Sequence, residues 1–462
     1  MPTHVIVLAA GEGKRMKSAL PKVAHLAAGK PLLNWVIEAG RPLNPASIVV
    51  VVGHGADQVR AILPVGVDDA LQGQQWGTGH ATQIGLDALG GVEPDDVVMI
   101  LYGDTPLLTS RLLADLAHLD PGESARLISA DMDDPSGYGR VIRDGDDTVS
   151  GIVEDRDCTP EQARIREINA GIYAIRAGRL IEALKQVTNH NSSGEYYLTD
   201  VVGILVAEGD RLTAVKASPQ EVIGINSQDQ LAEARHELQR RINRRLMESG
   251  VEIIDPGSTY IDETVRIEPN ARIYPNVHLE GATTVGAGTQ VGPDVFAVDS
   301  TIGAGSRVWY SVLRSATVGD ECEVGPYASL RPGTVLERNA KAGTFVETKN
   351  TRLAEGAKAP HLTYLGDATV GKRANIGAGT ITCNYDGLEK HPTEIGEDAF
   401  IGSDTMLVAP VKIGDRAITG AGSVITRDVP DDALAVERTA QKEIPGYAQR
   451  REARKAAEDA ED

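Results

Sequence analysis

The chain opens with short runs of apolar residues that stop at glycine. Val5-Ile6-Val7-Leu8 leads to Gly11, Ile48 to Val52 ends at Gly53, and Val97 to Leu101 precedes Gly103-Asp104. Runs this short, with no polar alternation, predict strands buried on both faces, as in a parallel sheet. Helical patterns lie between them, over Leu32 to Ala39 and Ala81 to Leu89. Over roughly the first 225 residues this alternation predicts a doubly wound α/β domain that binds ligands at its strand C-termini.

The pattern changes at Ser227. Ser227 with Gln230 three residues on reads as a capping box. Leu231, Leu238, Ile242 and Leu246 then follow on one helical face, with Glu233, Arg240 and Arg244 elsewhere, until Gly250. Residues 227–249 are expected to form one long linker helix, with a coiled-coil partner as the alternative. Past Gly250 the apolar period becomes six. Ile261, Ile267, Ile273, Leu279, Val285 and Val291 form one unbroken ladder. Ala271, Val277, Thr283, Thr289 and Val295 form a second, each four residues after its aliphatic partner. Aliphatic-glycine pairs recur from Val285-Gly286 to Ile413-Gly414. A hexapeptide repeat sustained this far predicts a parallel β-helix whose aliphatic residues point into a narrow core. Glycine or another small residue relieves the corners.

Two breaks interrupt the spacing. Gly325 and Gly371 are 46 residues apart, and Gly377 and Gly396 are 19 apart; neither is a multiple of six. Read as insertions, they become loops, which in solenoids are frequently the binding face. Lys349, His361 and Tyr364 fall in the first break, Asn384 and Tyr385 in the second. The tail from Arg450 is charged, lacks an apolar face, and is expected to fray.

Composition narrows the function. Of 462 residues 66 are acidic and 46 basic, giving a net charge of −20. Such a chain is a poor partner for nucleic acid or an anionic membrane. No apolar stretch reaches the ~20 residues of a spanning helix, and the start lacks the basic flank of an export signal. Cys158, Cys322 and Cys383 form neither a CxxC pair nor a disulfide framework, as fits a reducing cytoplasm. Only 3 Phe and 3 Trp against 49 Gly agree with a β-helix core that has no room for rings.

Candidate chemistry sits where the strands end. Leu8-Ala9-Ala10-Gly11-Glu12-Gly13-Lys14-Arg15-Met16, followed by Pro21-Lys22, is a Gly-rich turn after a buried strand. It carries neither the P-loop pattern nor the third glycine of the dinucleotide fingerprint. Its backbone N–H groups suit phosphate, and Arg15 and Lys22 would add mobile cations over a triphosphate. An ordinary tight turn is the alternative. Asp104 ends a strand at the ligand-binding rim. A hard carboxylate there suits Mg²⁺, completed by an amide oxygen, phosphate oxygens and water; a helix cap or turn aspartate is the alternative.

The Gly-rich string resembles the opening of the sugar nucleotidyltransferases, which transfer a nucleotide from an NTP to a sugar 1-phosphate. Gln72 to His80 (QGQQWGTGH), Tyr102-Gly103-Asp104, Gly137-Tyr138-Gly139-Arg140, and Glu154 with Asn169-Ala170-Gly171 follow in matching order. Together they resemble the N-acetylglucosamine-1-phosphate uridyltransferases. These form the N-terminal half of a family of bifunctional enzymes whose other half acetylates glucosamine 1-phosphate, and the resemblance runs from about Val5 to Arg438. It implies a Rossmann-like uridyltransferase domain over residues 1–226, the linker helix over 227–249, and an acetyltransferase domain over 250–462. The last would be a left-handed parallel β-helix of hexapeptide repeats with a flexible tail. Leu8, Ala9, Ala10, Gly11, Lys22, Tyr102 and Gly103 would line the uridyl-transfer site. Gln72, Gly77 and Thr78 would hold the uracil, and Gly139, Glu154 and Asn169 the N-acetylglucosamine 1-phosphate. Asp104 and Asn226 would bind Mg²⁺. No general base is required, because a sugar phosphate is already an anion and attacks the α-phosphorus of UTP directly. Arg15 and Lys22 would offset charge in the transition state.

Acyl transfer to an amine differs, since an ammonium must first lose a proton to a general base. His361, in the segment His361 to Asp367, is the candidate; a surface or core histidine is the plain alternative. The resemblance to hexapeptide-repeat acetyltransferases implies His361 as the base, with Arg331 and Lys349 on the phosphate of glucosamine 1-phosphate. Tyr364, Asn375, Asn384 and Tyr385 would position the sugar and acyl group. Ala378, Ser403, Ala421 and Arg438 match acetyl-CoA-binding positions, Ser403 donating to the developing oxyanion. Two positions depart from the pattern: Lys14 stands where Thr is expected, and Thr348 precedes Lys349 where Met is expected. The implied partners are UTP, N-acetylglucosamine 1-phosphate, glucosamine 1-phosphate, acetyl-CoA, and further copies of the chain as a cytoplasmic homotrimer. The product would supply peptidoglycan and other envelope glycans. Two readings compete: a nucleotidyltransferase for another sugar with the β-helix as scaffold, and a β-helix acting only as a structural or binding module.

Overall fold

The computed structural model describes residues 1–145, 148–191 and 194–460. They fall into two compact units, Met1–Arg244 and Arg245–Asp462. The first is built on a nine-stranded sheet. Its strands are β1 (Thr3–Ala9), β2 (Ser47–Val52), β3 (Asp68–Leu71), β4 (Val97–Tyr102), β5 (Glu123–Asp131), β6 (Arg140–Asp144), β7 (Thr148–Val153), β8 (Glu167–Arg176) and β9 (Arg211–Ala217). Their order is β9-β5-β8-β4-β1-β2-β3, with β6 paired to β8 and β7 to β6.

The three apolar runs are β1, β2 and β4, parallel neighbours at the centre. Alternate residues serve opposite faces. Val5, Val7 and Ala9 share one core with Val36 and Ile37 of the helix Leu32–Gly40 and with Leu113 of Ser110–Ala117. Ile6 and Leu8 share the other with Leu86 of Thr78–Ala88, Leu180 of Ala177–Leu184 and Leu205 of Thr199–Ala207. Burial on both faces removes any reason for polar alternation. The sheet is not parallel throughout: β8 runs antiparallel to both β4 and β5, and β6 and β7 form an antiparallel hairpin paired to β8 through β6. The reversal brings the start of β8 to the rim where β4 ends. Gly171 (φ 76°) lies there against Tyr102, and a Cβ would stand 2.7 Å from the ring, so the approach requires glycine.

The predicted helix spans Gln228–Glu248. Its start differs from a capping box, because the Gln230 side chain accepts from the Asn226 N–H at 2.7 Å, one residue earlier than expected. Leu231, Ala234 and Leu238 are buried with Met16, Ala27, Leu32, Leu107 and Ile225. The first half of this helix therefore belongs to the core of the first unit.

The second unit is a parallel β-helix with three strands per coil. Each strand pairs with its counterpart one coil on, as Arg266 with Thr284, Arg272 with Gln290 and His278 with Phe296, 18 residues apart. Both ladders point inward: the residues from Ile261 to Val291 are at most 9 % exposed, and those from Ala271 to Val295 at most 1 %. The two breaks are of opposite kinds. Forty-six residues is two short of eight hexapeptides, and here Val335 pairs with Arg352, Lys341 with Lys358 and Glu347 with Tyr364, 17 residues apart. No loop is inserted, which corrects the expectation. His361 and Tyr364 lie in the continuous strand Lys358–Gly366, paired along its length with Lys341–Lys349. A corner shortened by one residue shifts the sequence spacing as an insertion does, yet leaves the strand pairing intact.

The second break is a true insertion. Thr369 pairs with Glu394, 25 residues on, and the extra chain forms a loop over 384–392. Asp386 pins that loop by accepting from the Leu388 and Glu389 N–H groups at 2.8 and 2.7 Å and by meeting His391 at 2.7 Å. The tail, expected to fray, is helical over Tyr447–Glu458 with no buried residue. The high helix propensity of its Ala, Arg, Lys and Glu residues accounts for this without an apolar face. Among the described residues, no helix is long and apolar enough to cross a membrane.

Candidate functional site

Three adjoining cavities open at the sheet rim of the first unit. One, of ≈ 450 Å³, is lined by Leu8, Ala9, Ala10, Gly11, Lys22, Gln72, Gly77, Thr78, Tyr102, Asp104 and Asn226, joined by Gln75 and Glu195. The next, of ≈ 670 Å³, shares Thr78, Tyr102, Asp104 and Asn226 with it and adds Arg15, Gly139, Glu154 and Asn169. A third, of ≈ 340 Å³, lies between Glu12, Gly13, Lys14, Arg15, Lys22 and Asn226. Gly103 is the exception among the expected residues. It packs behind the wall, where a Cβ would stand 3.1 to 3.4 Å from Leu33, Val23 and Ala9.

Hydrogen bonds fix the linings. The buried Gln72 amide donates to the Gly77 carbonyl at 3.1 Å and meets His80 Nδ1 at 3.1 Å. Thr78 Oγ1 accepts from the Leu198 N–H at 3.1 Å and also bonds the Tyr102 phenol. Burial, together with the Asp104 charge, pushes that phenol far above its ordinary range, so it stays neutral. In the larger cavity Glu154 Oε1 accepts from the Thr199 hydroxyl at 2.9 Å. Asn169 donates to the Tyr173 hydroxyl at 2.7 Å and accepts from the Gly171 N–H at 3.0 Å, which locks its amide. Burial and the neighbouring Glu154 raise the Asp200 carboxyl.

Lys22 occupies the junction of the cavities. Its ammonium bonds Asp104 Oδ2 and reaches Asn226 Oδ1 at 3.1 Å. A carboxylate and an amide oxygen thus converge on one cationic position, a donor set that fits a hard divalent ion. Among the described residues, no group of three or more His, Cys, Asp or Glu is placed to hold a metal, so further ligands would be phosphate and water. Lys14, the departure from pattern, pairs with Glu12 at 2.9 Å. Gln75 and Tyr138, which sit within two of the quoted strings without a role of their own, also line the cavities, as do Glu195, Tyr197 and Thr199, which were not foreseen. The last three belong to Glu195-Tyr196-Tyr197-Leu198-Thr199, which carries no strand-end glycine; its paired tyrosines were the only sequence signal.

In the β-helix, His361, Ala378, Ser403 and Ala421 stand one above another at a single corner. Each precedes a residue with left-handed backbone: Leu362, Gly379, Asp404 and Gly422, with φ of 44°, 77°, 55° and 74°. Backbone bonds join the coils at this edge, from Gly379 N–H to Leu362 O (2.9 Å), Asp404 N–H to Ala378 O (2.7 Å) and Gly422 N–H to Ser403 O (2.8 Å). Arg438 closes the column by donating to Ala421 O at 2.8 Å. Both His361 and Ser403 are exposed. With neighbouring strands ~4.8 Å apart, the column can carry an extended ligand past the imidazole.

Tyr364 lies on the strand between this corner and the next, where Lys349, Asp367 and Asn384 meet. Burial would raise the Asp367 carboxyl, but hydrogen bonds from Asn350 (2.7 Å) and Asn384 (2.6 Å) and the charge of Lys349 hold it below its usual value. The Lys390 ammonium, contributed by the insertion, lowers the Lys349 pKa, and Arg331 adds to the effect. Three cations thus gather here, of which Lys390 was not foreseen because spacing does not reveal the path of an inserted loop. Arg331 meets Glu347 at 2.9 Å. Gly366 underlies the Tyr364 hydroxyl and the Asn384 amide, which a Cβ would approach to 2.5 and 2.6 Å. Asn375 is half-buried, paired with Lys358 on the preceding coil. Asn384 is buried with its amide on Asp367, while the exposed Tyr385 donates to Gly387 O at 2.7 Å. Thr348 faces the core and bonds Thr334 at 3.0 Å, so its departure from pattern leaves the outward course of Lys349 unchanged.

Comparison with known proteins agrees with both halves. The model of the MobA-like NTP transferase domain matches residues 5–191. That of the bacterial transferase hexapeptide (six repeats) matches residues 392–427. A bifunctional protein GlmU of Streptomyces avermitilis is 48 % identical over 463 residues, covering 99 % of this chain and 96 % of its own. Its namesake in Caldanaerobacter subterraneus subsp. tengcongensis is 47 % identical over 448 residues, covering 96 % and 97 %. That of Streptomyces coelicolor is 47 % identical over 463 residues, covering 99 % and 96 %. Similarity of this order along essentially the whole length of both partners establishes that the chain belongs to the GlmU family of bifunctional proteins.

Proposed function

We propose that the chain makes UDP-N-acetylglucosamine by two successive transfers. Acetyl passes from acetyl-CoA to glucosamine 1-phosphate, and uridylyl then passes from UTP to the N-acetylglucosamine 1-phosphate formed, releasing pyrophosphate. Uridyl transfer is assigned to residues 1–226 and acetyl transfer to 250–462, with 227–249 as the connecting helix. The reading rests above all on the column His361, Ala378, Ser403, Ala421 beside the cationic corner of Arg331, Lys349 and Lys390. A β-helix serving only as scaffold has no need of a histidine and a phosphate-sized group of cations on neighbouring corners.

For uridyl transfer, Gln72, Gly77 and Thr78 hold the uracil while Gly139, Glu154 and Asn169 orient the sugar, so that its phosphate oxygen faces the α-phosphorus. Arg15 and Lys22 offset the charge that builds on the phosphates. Asp104 and Asn226 would hold Mg²⁺, which supplies further charge neutralisation when bound. For acetyl transfer, His361 takes a proton from the 2-ammonium group, and the freed amine attacks the thioester carbonyl. Ser403 donates to the oxyanion, and CoA leaves as the thiol. Arg331 and Lys349 hold the sugar phosphate; Tyr364 and Asn375 orient the ring. Asn384 and Tyr385 shape the insertion beside it, and Ala378, Ala421 and Arg438 receive the acetyl-CoA.

A homotrimer in the cytoplasm completes the reading. Its support is the outward surface of one strand column, where Tyr260, His278, Phe296 and Val312 follow in register and, past Ser329, Glu347 and Tyr364, Ile381, Met406 and Val424 continue it. The polar column Arg266, Thr284, Thr301 and Thr317 contrasts with it. Tyr310, Tyr327 and Phe345 add an exposed aromatic ridge leading to Leu362, next to His361. Supplying glucosamine 1-phosphate and acetyl-CoA should release CoA, and adding UTP with Mg²⁺ should then release pyrophosphate. Pyrophosphate release with no CoA release at any stage would favour the scaffold reading instead.

A further inference from the structure

Arg140 closes the Gly137-Tyr138-Gly139-Arg140 string, yet neither transfer step uses it. Its side chain is 3 % exposed and does not line the cavity. One guanidinium nitrogen donates to the Tyr138 carbonyl, another to Asp155 Oδ1 at 2.9 Å, and Nε has no partner. The second Asp155 oxygen, Oδ2, accepts from the Gly137 N–H at 3.0 Å. A single carboxylate therefore grips both ends of the turn that presents Tyr138 and Gly139 to the cavity. The Gly137 N–H first, then Arg140, holds the Asp155 carboxyl below its usual range. The preceding residue, Glu154, projects its own carboxylate into the same cavity, tied to Thr199.

We propose that Asp155, acting through Gly137 and Arg140, is a positioning residue for the sugar 1-phosphate acceptor. It holds the Gly137–Gly139 turn against the neighbouring Glu154, whose Oε2 lies 3.7 Å from where a Gly139 Cβ would stand, and so sets the edge of the larger cavity that these two residues share. Asp155 itself lines the larger cavity but not the nucleotide cavity, and its hydrogen bonds go to Gly137 and Arg140, so its influence is confined to the acceptor. The inference rests on uridyl transfer to N-acetylglucosamine 1-phosphate as proposed above. Asp155→Asn keeps the shape and the acceptor for Gly137 but leaves the buried guanidinium without its counter-charge.

The experiment is steady-state uridyl transfer by the full-length chain, each substrate varied in turn, with acetyl transfer measured on the same preparation. The KM for N-acetylglucosamine 1-phosphate should rise by about tenfold or more in Asp155→Asn, with kcat and the KM for UTP changed by less than about threefold. Asp155→Glu, which can restore the ion pair, should recover most of the loss. An acceptor KM unchanged in Asp155→Asn, or a UTP KM that rises in step with it, overturns the proposal. If Asp155→Asn unfolds the first unit, seen as a lost thermal transition, Arg140→Met, which removes the buried charge instead of leaving it unpaired, carries the test alone. A native transition with a raised acceptor KM would then support positioning, and an unchanged KM would overturn it. Absence of uridyl transfer in the unaltered chain would instead refute the underlying function.

Discussion

Gly77→Ala tests whether the wall proposed to hold the uracil is fixed by backbone geometry. Gly77 sits at φ 108° and ψ 177°, immediately before the helix Thr78–Ala88. Residues other than glycine seldom enter that region, and holding one there costs about 1–3 kcal/mol. The added Cβ would also lie 2.5 Å from the Tyr196 carbonyl oxygen and 2.9 Å from its nitrogen, backbone atoms that cannot rotate aside. The loop must therefore shift, and with it the Gly77 carbonyl that holds the Gln72 amide. Strain of this size, released by moving the wall, corresponds to about a 5- to 150-fold rise in the KM for UTP. Pyrophosphate release is measured against UTP concentration with N-acetylglucosamine 1-phosphate saturating, and CoA release serves as an internal control on the second unit. A UTP KM within about twofold of the parent, in a folded variant, would refute the reasoning.

Three further outcomes follow from the same geometry. His361→Ala should lower acetyl transfer by ~10²–10⁴-fold and Asp104→Asn should lower uridyl transfer by at least ~10²-fold, each sparing the other activity; joint loss in a folded variant would contradict two separate sites. Burial alone would raise the Glu167 carboxyl, but the bonds from Arg143 and Ser129 outweigh it and leave the folded pKa below the ordinary 4.5. Glu167 should therefore stabilise the first unit above that pH, and the stabilisation should vanish as pH falls through the folded value. Melting temperatures of the parent and Glu167→Gln should converge on acidification, and divergence would contradict the sign. A fragment ending at residue 244 should keep uridyl transfer. One ending at 229, stripped of Leu231, Ala234 and Leu238, should melt lower or fail to fold; equal melting temperatures would refute that role for the helix.

Much of this structure was legible because its elements repeat a local rule. The six-residue ladders report the β-helix directly, since one inward residue per face is a constraint on sequence that burial enforces at every coil. The first register break misled for a related reason: a lost corner residue and a gained loop both displace the count, and only strand pairing distinguishes them. The antiparallel course of β8 left no trace in composition, because a strand buried on both faces is equally apolar in either direction. The cavity-lining residues proposed for uridyl transfer were legible where they follow strand ends or belong to recognisable strings. Glu195, Tyr197 and Thr199 escaped because a loop that folds back over a cavity is positioned by tertiary contacts, such as the Leu198 N–H on Thr78. Lys390 escaped in the same way. Asp155 was adjacent to a recognised residue, but its role depends on a turn 15 residues earlier in the chain.

The most direct test of the two-step function is one reaction followed to completion. The chain is given glucosamine 1-phosphate, acetyl-CoA, UTP and Mg²⁺, and CoA, pyrophosphate and the sugar nucleotide are quantified together by mass spectrometry. CoA should appear first, N-acetylglucosamine 1-phosphate should rise and fall, and UDP-N-acetylglucosamine should finally equal both CoA and pyrophosphate released. Equally fast formation of UDP-glucosamine when acetyl-CoA is omitted, or CoA release that never leads to pyrophosphate, would contradict it.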